Sequence, residues 1–366
     1  MNRRVEASTP ATVSRRVAAL DVARALALAG VIIMNWVAKF TTTARRDGDL
    51  VGPDPLLRLL DPFTGVLATR FAAVFVLVAG IGVSLMARAG RSLEETRWRL
   101  RRRGVLLFVV GYFFHWIWSG EILHFYGWYF VIASFVLGFS NRGLVALCGL
   151  VVAAHVVLRV ALFSGPGAFD WLLVANLADP KGTVADLLIS GTHPLLPWLA
   201  FVFVGMWIGR HDLEDPSLQR RLIAIGSVLL VSGYAMSSVA TRAYSGEWRW
   251  LFGTRVFEYM PLYVLVTLGS SLAAVGLVLS AVRIWPTKPI TQILARAGQM
   301  TFSLYLLHGV VGYALIRYVW TGRDLPVATA LLLSVGFWLG ALAAASAWRS
   351  RIGLGPAELI YRRFGG

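Results

Sequence analysis

VAALDVARALALAGVIIMNWV, residues 17–37, is long enough and apolar enough to cross a bilayer, yet it carries Asp21 and Arg24. About 20 apolar residues span a hydrocarbon core. A charge at the centre of such a segment costs about 2.5–3.5 kcal/mol on insertion scales, so charges there are normally paired, interior-facing and functional. Asp21 and Arg24 are three residues apart and can meet on one helix face. Arg24 and Asn35 are eleven apart, three turns plus about 20°, so they share a face about 16 Å apart along the axis. One side of this helix therefore offers polar groups near both surfaces of the membrane. A purely structural ion pair that sets helix register is the alternative reading of Asp21 and Arg24.

The rest of the chain agrees with a membrane setting. Of 366 residues, 57% are hydrophobic and 15% charged, at a mean hydropathy of +0.67. A soluble chain of this length is far more polar, and the alternating pattern of an outer-membrane barrel is absent. The expected fold is an all-α integral membrane bundle forming one polytopic domain over 1–366. The lone Cys148 excludes a disulfide framework. The net charge of +16 does not point to nucleic acid, because the basic residues gather in loops between apolar segments. SRRVAAL (14–20) looks like a twin-arginine export signal, but the apolar run that follows is too long and too charged, and reads as a retained anchor.

Hydropathy predicts ten spans, at about 17–38, 66–87, 104–119, 121–140, 143–163, 194–209, 222–241, 261–282, 298–317 and 326–348. The gaps 39–65 and 164–193, rich in Pro, Gly and Asp, read as structured or re-entrant loops. Basic residues outside the spans divide two to one. That bias places both termini in the cytoplasm, 1–16 and 349–366 as cytoplasmic tails, and the protein in the inner (plasma) membrane as a multi-pass chain in contact with lipid. The arginine run 97–103 reads as a topology anchor touching anionic lipid, or secondarily as a hold on an anionic cofactor.

On this topology the polar residues concentrate toward the outer leaflet: Asn35, Arg70, His115, Glu121, His124, His193 and His308. Thr301, Tyr305 and His308 follow i, i+4, i+7 and form one polar stripe. Each has a plainer reading: His124 and His193 as interfacial residues beside Trp128 and Trp198, His308 as a packing histidine, Arg70 as a snorkelling side chain. No Walker A motif, GxSxG elbow, HExxH or Cys/His metal spacing occurs, so neither a metal nor a tightly bound cofactor is expected. An enzyme built this way relies on histidine or carboxylate, which suits acyl transfer to an alcohol or amine.

These segments resemble a known group. RRVAALDVARALALAGVIIMNW (15–36) is similar to the first span of the YeiB-like membrane family of unknown function. Its relatives are the heparan-α-glucosaminide N-acetyltransferases and acyltransferase family 3. The shared opening LDxxRGxAxxxMxxxN is matched by Leu20, Asp21, Arg24, Ala27 and Asn35, with Ala25 replacing the usual Gly and Met34 standing three residues past the motif's Met. FAAVFVLVAGIGVSLMAR (71–88), RRRGVLLFVVGYFFHWIWSGEILHFYG (101–127, Glu121 where Asp is usual), GQMTFSLYLLHG (298–309) and RIGLGPAELIYRR (351–363) extend the likeness over nearly the whole chain.

The resemblance implies an acyltransferase-3-like bundle of about ten helices and an acyl-CoA donor on the cytoplasmic side. It also implies an envelope acceptor, a sugar or other hydroxyl or amine. By carry-over, Arg24 with Asp21 would hold the donor and Asn35 would face the reaction. Acyltransferase family 3 has its catalytic histidine where Asn35 stands. The glucosaminide enzymes use a later histidine, and eleven residues past Asn35 this chain has Arg46. The base is therefore expected elsewhere: His308 first, in the S-x-YLxH segment, then His124 beside Glu121, with Asn35 on the developing oxyanion. His193, Arg70, Tyr305 and His115 are expected to line the acceptor side. A transporter or lipid flippase using the same polar path is the second reading, and a scaffold the third. The acyl chain, the acceptor and the oligomeric state, a homodimer included, are not legible.

Overall fold

The computed structural model describes residues 10–41, 45–46, 49–50, 55–62, 64–163, 179–320 and 324–365. Among these, the one piece of sheet is a two-residue antiparallel rung, β1 (Arg45–Arg46) against β2 (Asp49–Leu50). The helices are α1 (Pro10–Phe40), α2 (Pro55–Leu60), α3 (Arg70–Ala87), α4 (Leu93–Phe114), α5 (Leu123–Val136), α6 (Asn141–Phe163) and α7 (Pro180–Ala185). They continue as α8 (Leu195–Ile208), α9 (Pro216–Ala243), α10 (Pro261–Ile284), α11 (Pro289–Gly298), α12 (Thr301–Ala314), α13 (Val327–Arg351) and α14 (Pro356–Gly365). The twin-arginine reading at 14–20 and most of the tail at 1–16 fall outside the described side chains, as does the loop 164–178.

The apolar runs start on local signals. Ser92 accepts the Glu95 N–H at 3.0 Å ahead of α4, a Ser-x-x-Glu cap. Asp179 and Asp215 accept from Gly182 N and Ser217 N, each at 2.8 Å, ahead of α7 and α9, both of which open on proline.

Each of the ten predicted positions is helical, but they are not alike. Among the described residues, seven helices are long and apolar enough to span: Ala18–Phe40, Arg70–Ala87, Asn141–Leu162, Pro216–Ala243, Pro261–Ile284, Thr301–Val319 and Val327–Arg351. An eighth position, predicted as a span at 194–209, is preceded by a second helical piece in the predicted loop 164–193, the pair Gly182–Ser190 and Leu195–Ile208 being bent by 51°. α4 begins eleven residues before its predicted start, and its first half carries Arg97, Arg99, Arg101, Arg102 and Arg103. α5, with 14 residues, is short. Val228, Val231 and Val239 on α9, and Leu332 and Leu339 on α13, are largely exposed. Apolar helices wearing leucine and valine outward are made for lipid, and the protein is a multi-pass membrane protein.

α8 is apolar all round and almost entirely buried, the hub of the bundle. It meets α3 where Gly80 faces Gly205. A Cβ on Gly205 would lie 3.0 Å from the Gly80 Cα, and one on Gly80 would lie 3.1 Å from the Gly205 Cα. Without a hydrophobic drive between helices in lipid, such small-residue contacts let backbones close and gain dispersion. At the end of α11, Gly298 packs directly on the backbone of Asp21, where any side chain would overlap the Asp21 carbonyl. This contact seats α11 against the charged turn of α1.

Candidate active site

A cavity of about 1020 Å³ lies in the bundle between α1, α3, α4, α5 and α12. On α1 its wall is Asp21, Arg24, Leu28, Val31, Asn35 and Ala38, a stripe at the spacing of one helix face. From Asp21 to Lys39 that wall covers about 27 Å, close to the thickness of a hydrocarbon core. On α3 the facing positions include the small residues Ala72, Ala79 and Gly82, which leave the space open.

One mouth is cationic. Arg24, Arg91, Arg99, Arg103, Arg349 and Arg362 line it, with Asp21, Gln299 and Glu358 among them. Arg24 Nη1 donates to Asp21 Oδ1 at 2.8 Å; the Asp21 side chain is 4% exposed and that of Arg24 30%. The pair is therefore anchored on its acid and open on its guanidinium. Arg349 donates to Gln299 Oε1 at 2.5 Å. The Arg103 guanidinium lies 4.9 Å from the centre of the Tyr361 ring. Glu358 accepts from Phe302 N at 2.8 Å, Ser303 N at 3.0 Å and Ser303 Oγ at 2.5 Å, while Ser303 Oγ accepts from Ala357 N at 3.1 Å. The closing segment of the sequence thus caps α12, the helix that carries Thr301, Tyr305 and His308.

The other mouth holds Asn35, Lys39, Thr69, Trp118, Thr192 and His193. Asn35 Nδ2 lies 3.1 Å from His308 Nε2. His308 Nδ1 rests against the Tyr305 carbonyl. A carbonyl only accepts, so Nδ1 carries the ring proton and Nε2 presents a lone pair that takes the Asn35 N–H. His308 is fully buried, with Trp36 Nε1 donating to its carbonyl at 3.3 Å and the Trp118 ring edge-on at 5.5 Å. It reaches the cavity through Asn35. Tyr305 lines the cavity itself, and its hydroxyl accepts from Ile122 N at 3.0 Å. His193 also lines the cavity; its Nδ1 lies 3.0 Å from Thr192 Oγ1, and Nε2 has no partner among the described residues. Lys39 Nζ donates to Ser119 Oγ at 2.6 Å.

Glu121 and His124 sit behind this wall in a buried cluster. His124 Nδ1 meets Glu121 Oε1, and Nε2 lies 3.0 Å from Asp186 Oδ2. Glu121 Oε2 also accepts the Leu123 N–H at 2.5 Å. With an acidic oxygen at each ring nitrogen and no place on the cavity wall, His124 is not placed to take a proton from a bound group. His115 lies 6.3 Å from His124, ring to ring, and is not on the wall. Arg70 is likewise off the wall: it donates to Thr267 Oγ1, to Tyr234 OH at 3.1 Å and to Val66 O at 3.3 Å. The structure therefore gathers Asp21, Arg24, Asn35, Tyr305 and His193 on one cavity with His308 one bond behind, and sets Arg70, His115, Glu121 and His124 outside it.

Sequence reasoning passed over Asp186, Thr69, Phe257, Gln299, Arg349 and Glu358. Glu358 was within reach, since it stands in the closing signature. Asp186 lies in the stretch 164–193, whose Asp content marks only a loop. In the loop after the turn Glu247–Phe252, burial pushes the Glu258 carboxyl above its usual range, against the pull of Arg255 and Arg159.

Comparison with protein families gives two matches. A model described as "Protein of unknown function (DUF418)" covers residues 207–365, including His308 and Glu358. A model described as "Heparan-alpha-glucosaminide N-acetyltransferase, catalytic" covers residues 16–236, including Asp21, Arg24, Asn35 and His193. No curated protein matches the chain. The second model spans more than half of the sequence and supports a membrane acyltransferase-like activity in general terms. By this match, which takes in the charged first helix, the chain belongs to the heparan-alpha-glucosaminide N-acetyltransferase catalytic family.

Proposed function

We propose that the protein moves an acyl group from an acyl-CoA-type thioester at the arginine mouth to a hydroxyl or amine at the histidine mouth. The observation that carries this reading is one cavity with guanidiniums at one end and an Asn35–His308 pair at the other. Guanidiniums suit the phosphates of such a donor, because they stay charged and bind phosphate oxygens in pairs. A thioester on a long pantetheine arm would lie along the α1 stripe. We place the arginine mouth and both termini in the cytoplasm of a cell with the protein in its inner membrane. The α4–α5 hairpin supplies two further crossings, giving ten in an acyltransferase-3-like arrangement. α4 carries Arg99 and Arg103 on the cavity wall, and the chain that follows it reaches Trp118 at the other mouth.

His308 acts as the base. The acceptor O–H or N–H takes the place of the Asn35 amide on Nε2 and gives up its proton there as its lone pair bonds to the thioester carbonyl carbon. The carbonyl pair moves onto oxygen, where the Asn35 amide N–H and the Tyr305 hydroxyl donate to it. Collapse re-forms the carbonyl and breaks the C–S bond. The sulfur leaves with the pair and takes the proton from the imidazole.

Ala79→Phe tests the path. Ala79 is about 15 Å along α3 from Thr69, midway down the cavity. The phenyl ring should cut acyl transfer at least tenfold while acetyl-CoA binding changes less than threefold. Full transfer in this variant would mean the cavity is not the route. If the unmodified protein moves a lipid or solute with no acyl turnover, it is a transporter.

A further inference from the structure

Three non-glycine residues hold a left-handed backbone among the described residues: Thr69 (φ 58°), Phe257 (φ 70°) and Tyr259 (φ 53°). They come from distant parts of the chain and meet at the histidine mouth. Thr69 and Phe257 line the cavity there beside Thr192 and His193. Tyr259 OH donates to the Thr192 carbonyl at 2.7 Å. A left-handed residue other than glycine is strained, glycine would hold the same backbone freely, and such residues cluster at functional sites. Thr and Phe in place of glycine at such positions point to a use for their side chains.

The surroundings fix these side chains. Thr69 Oγ1 lies 2.7 Å from both the Ala68 carbonyl and Tyr263 OH. The carbonyl takes the Thr69 hydroxyl proton, so Tyr263 donates to it, and one lone pair remains for a ligand. Tyr263 is backed by the Arg70 guanidinium, 5.7 Å from its ring centre. The Phe257 carbonyl accepts from Arg159, and the Glu258 carbonyl accepts from His155 Nε2 at 2.9 Å, both donors lying on α6. Tyr129 OH donates to the His193 carbonyl at 2.6 Å. The segments carrying Thr69, Phe257 and His193 are thus each held from behind by a buried polar side chain, and His193 Nε2 has no partner among the described residues.

We infer that Thr69, His193 and Phe257 form a selective acceptor subsite. It takes a neutral alcohol or amine whose O–H or N–H donates to lone pairs on Thr69 Oγ1 or His193 Nε2 and whose apolar face lies on Phe257. This rests on the acyltransferase reading. Tyr263, Arg70, His155 and Arg159 are positioning residues that act through the loop and Thr69.

The test replaces strained side chains by glycine, which removes the contact and relaxes the backbone. Purified protein, Thr69→Gly, Thr69→Ser and Phe257→Gly are assayed with acetyl-CoA for hydrolysis and for transfer to glucosamine, ethanolamine and glycerol, beside thermal unfolding. Both glycine variants should raise KM for the best acceptor at least tenfold. The ratio of transfer to hydrolysis should fall at least tenfold and Tm should not fall, while Thr69→Ser retains the acceptor KM. Phe257→Leu, which keeps an apolar wall, should fall between. Unchanged acceptor KM in both glycine variants overturns the subsite. So does parallel loss of hydrolysis and transfer with a lowered Tm in the glycine variants and Phe257→Leu, or hydrolysis without transfer to any of the three probes. Failure of the unmodified protein to turn over acetyl-CoA at all overturns the acyltransferase reading itself.

Discussion

Replacing His308 with glutamine should lower kcat by about 10²–10⁴-fold, the usual worth of a positioned general base, with little change in donor KM. Glutamine keeps much of the shape and a carboxamide to meet Asn35, so the packing around Trp36 and Trp118 survives and the loss is chemical. The His308 Nε2 lone pair is held by the Asn35 amide, the single exchangeable group between it and the cavity. His124→Gln should behave differently. That ring ties Glu121 of one hairpin to Asp186 of the bent segment, so the variant should lose thermal stability before it loses turnover selectively. A His308→Gln protein with turnover within threefold of the unmodified one would make His308 a packing residue.

Arg24→Ala should damage both stability and donor binding, because the side chain does two things. It neutralises the buried Asp21 carboxylate at 2.8 Å, and breaking such a pair on one side costs about 3–5 kcal/mol. Its guanidinium also opens on the arginine mouth. The two effects separate in Asp21→Asn/Arg24→Gln, which removes both charges. The double variant should recover most of the lost Tm yet keep a donor KM raised at least tenfold. Arg24→Lys should retain stability and lose donor affinity in part, since a lysine offers a point charge in place of a planar fork. Donor affinity restored in the double variant would show that Arg24 only pairs with Asp21.

The first helix could be read from sequence because its signal is local. Two charges in an apolar run must face inward, and their spacing from Asn35 put all three on one face; the cavity wall follows that stripe. The arginine run 97–103 was harder. Residues four apart share a face, and the run divides accordingly: Arg97 and Arg101 donate to Ser134, while Arg99 and Arg103 line the cavity. Hydropathy averages over both faces, so it marked the run as a surface anchor and placed the start of α4 too late. The bend before α8 showed only as the re-entrant reading of 164–193; its angle left no trace, because Leu195–Ile208 is apolar on every side and periodicity has nothing to show there. The Asn35–His308 bond joins residues 273 apart and the histidine mouth draws Thr69 and Phe257 together. Such pairings belong to tertiary packing, and only the order of motifs along the chain hinted at them. Histidine position alone misled for His124 and His115, since a shared leaflet does not say which side chains turn to the cavity.

The central claim is that the acyl group alone crosses the bundle. Purified protein is reconstituted in sealed vesicles with glucosamine trapped inside and acetyl-CoA, labelled on the acetyl group, supplied outside. The account predicts labelled N-acetyl product in the lumen, unlabelled CoA left outside, and loss of both in Arg24→Ala and His308→Gln. Product formed only on the donor side, or acetyl-CoA itself entering the lumen, would contradict it.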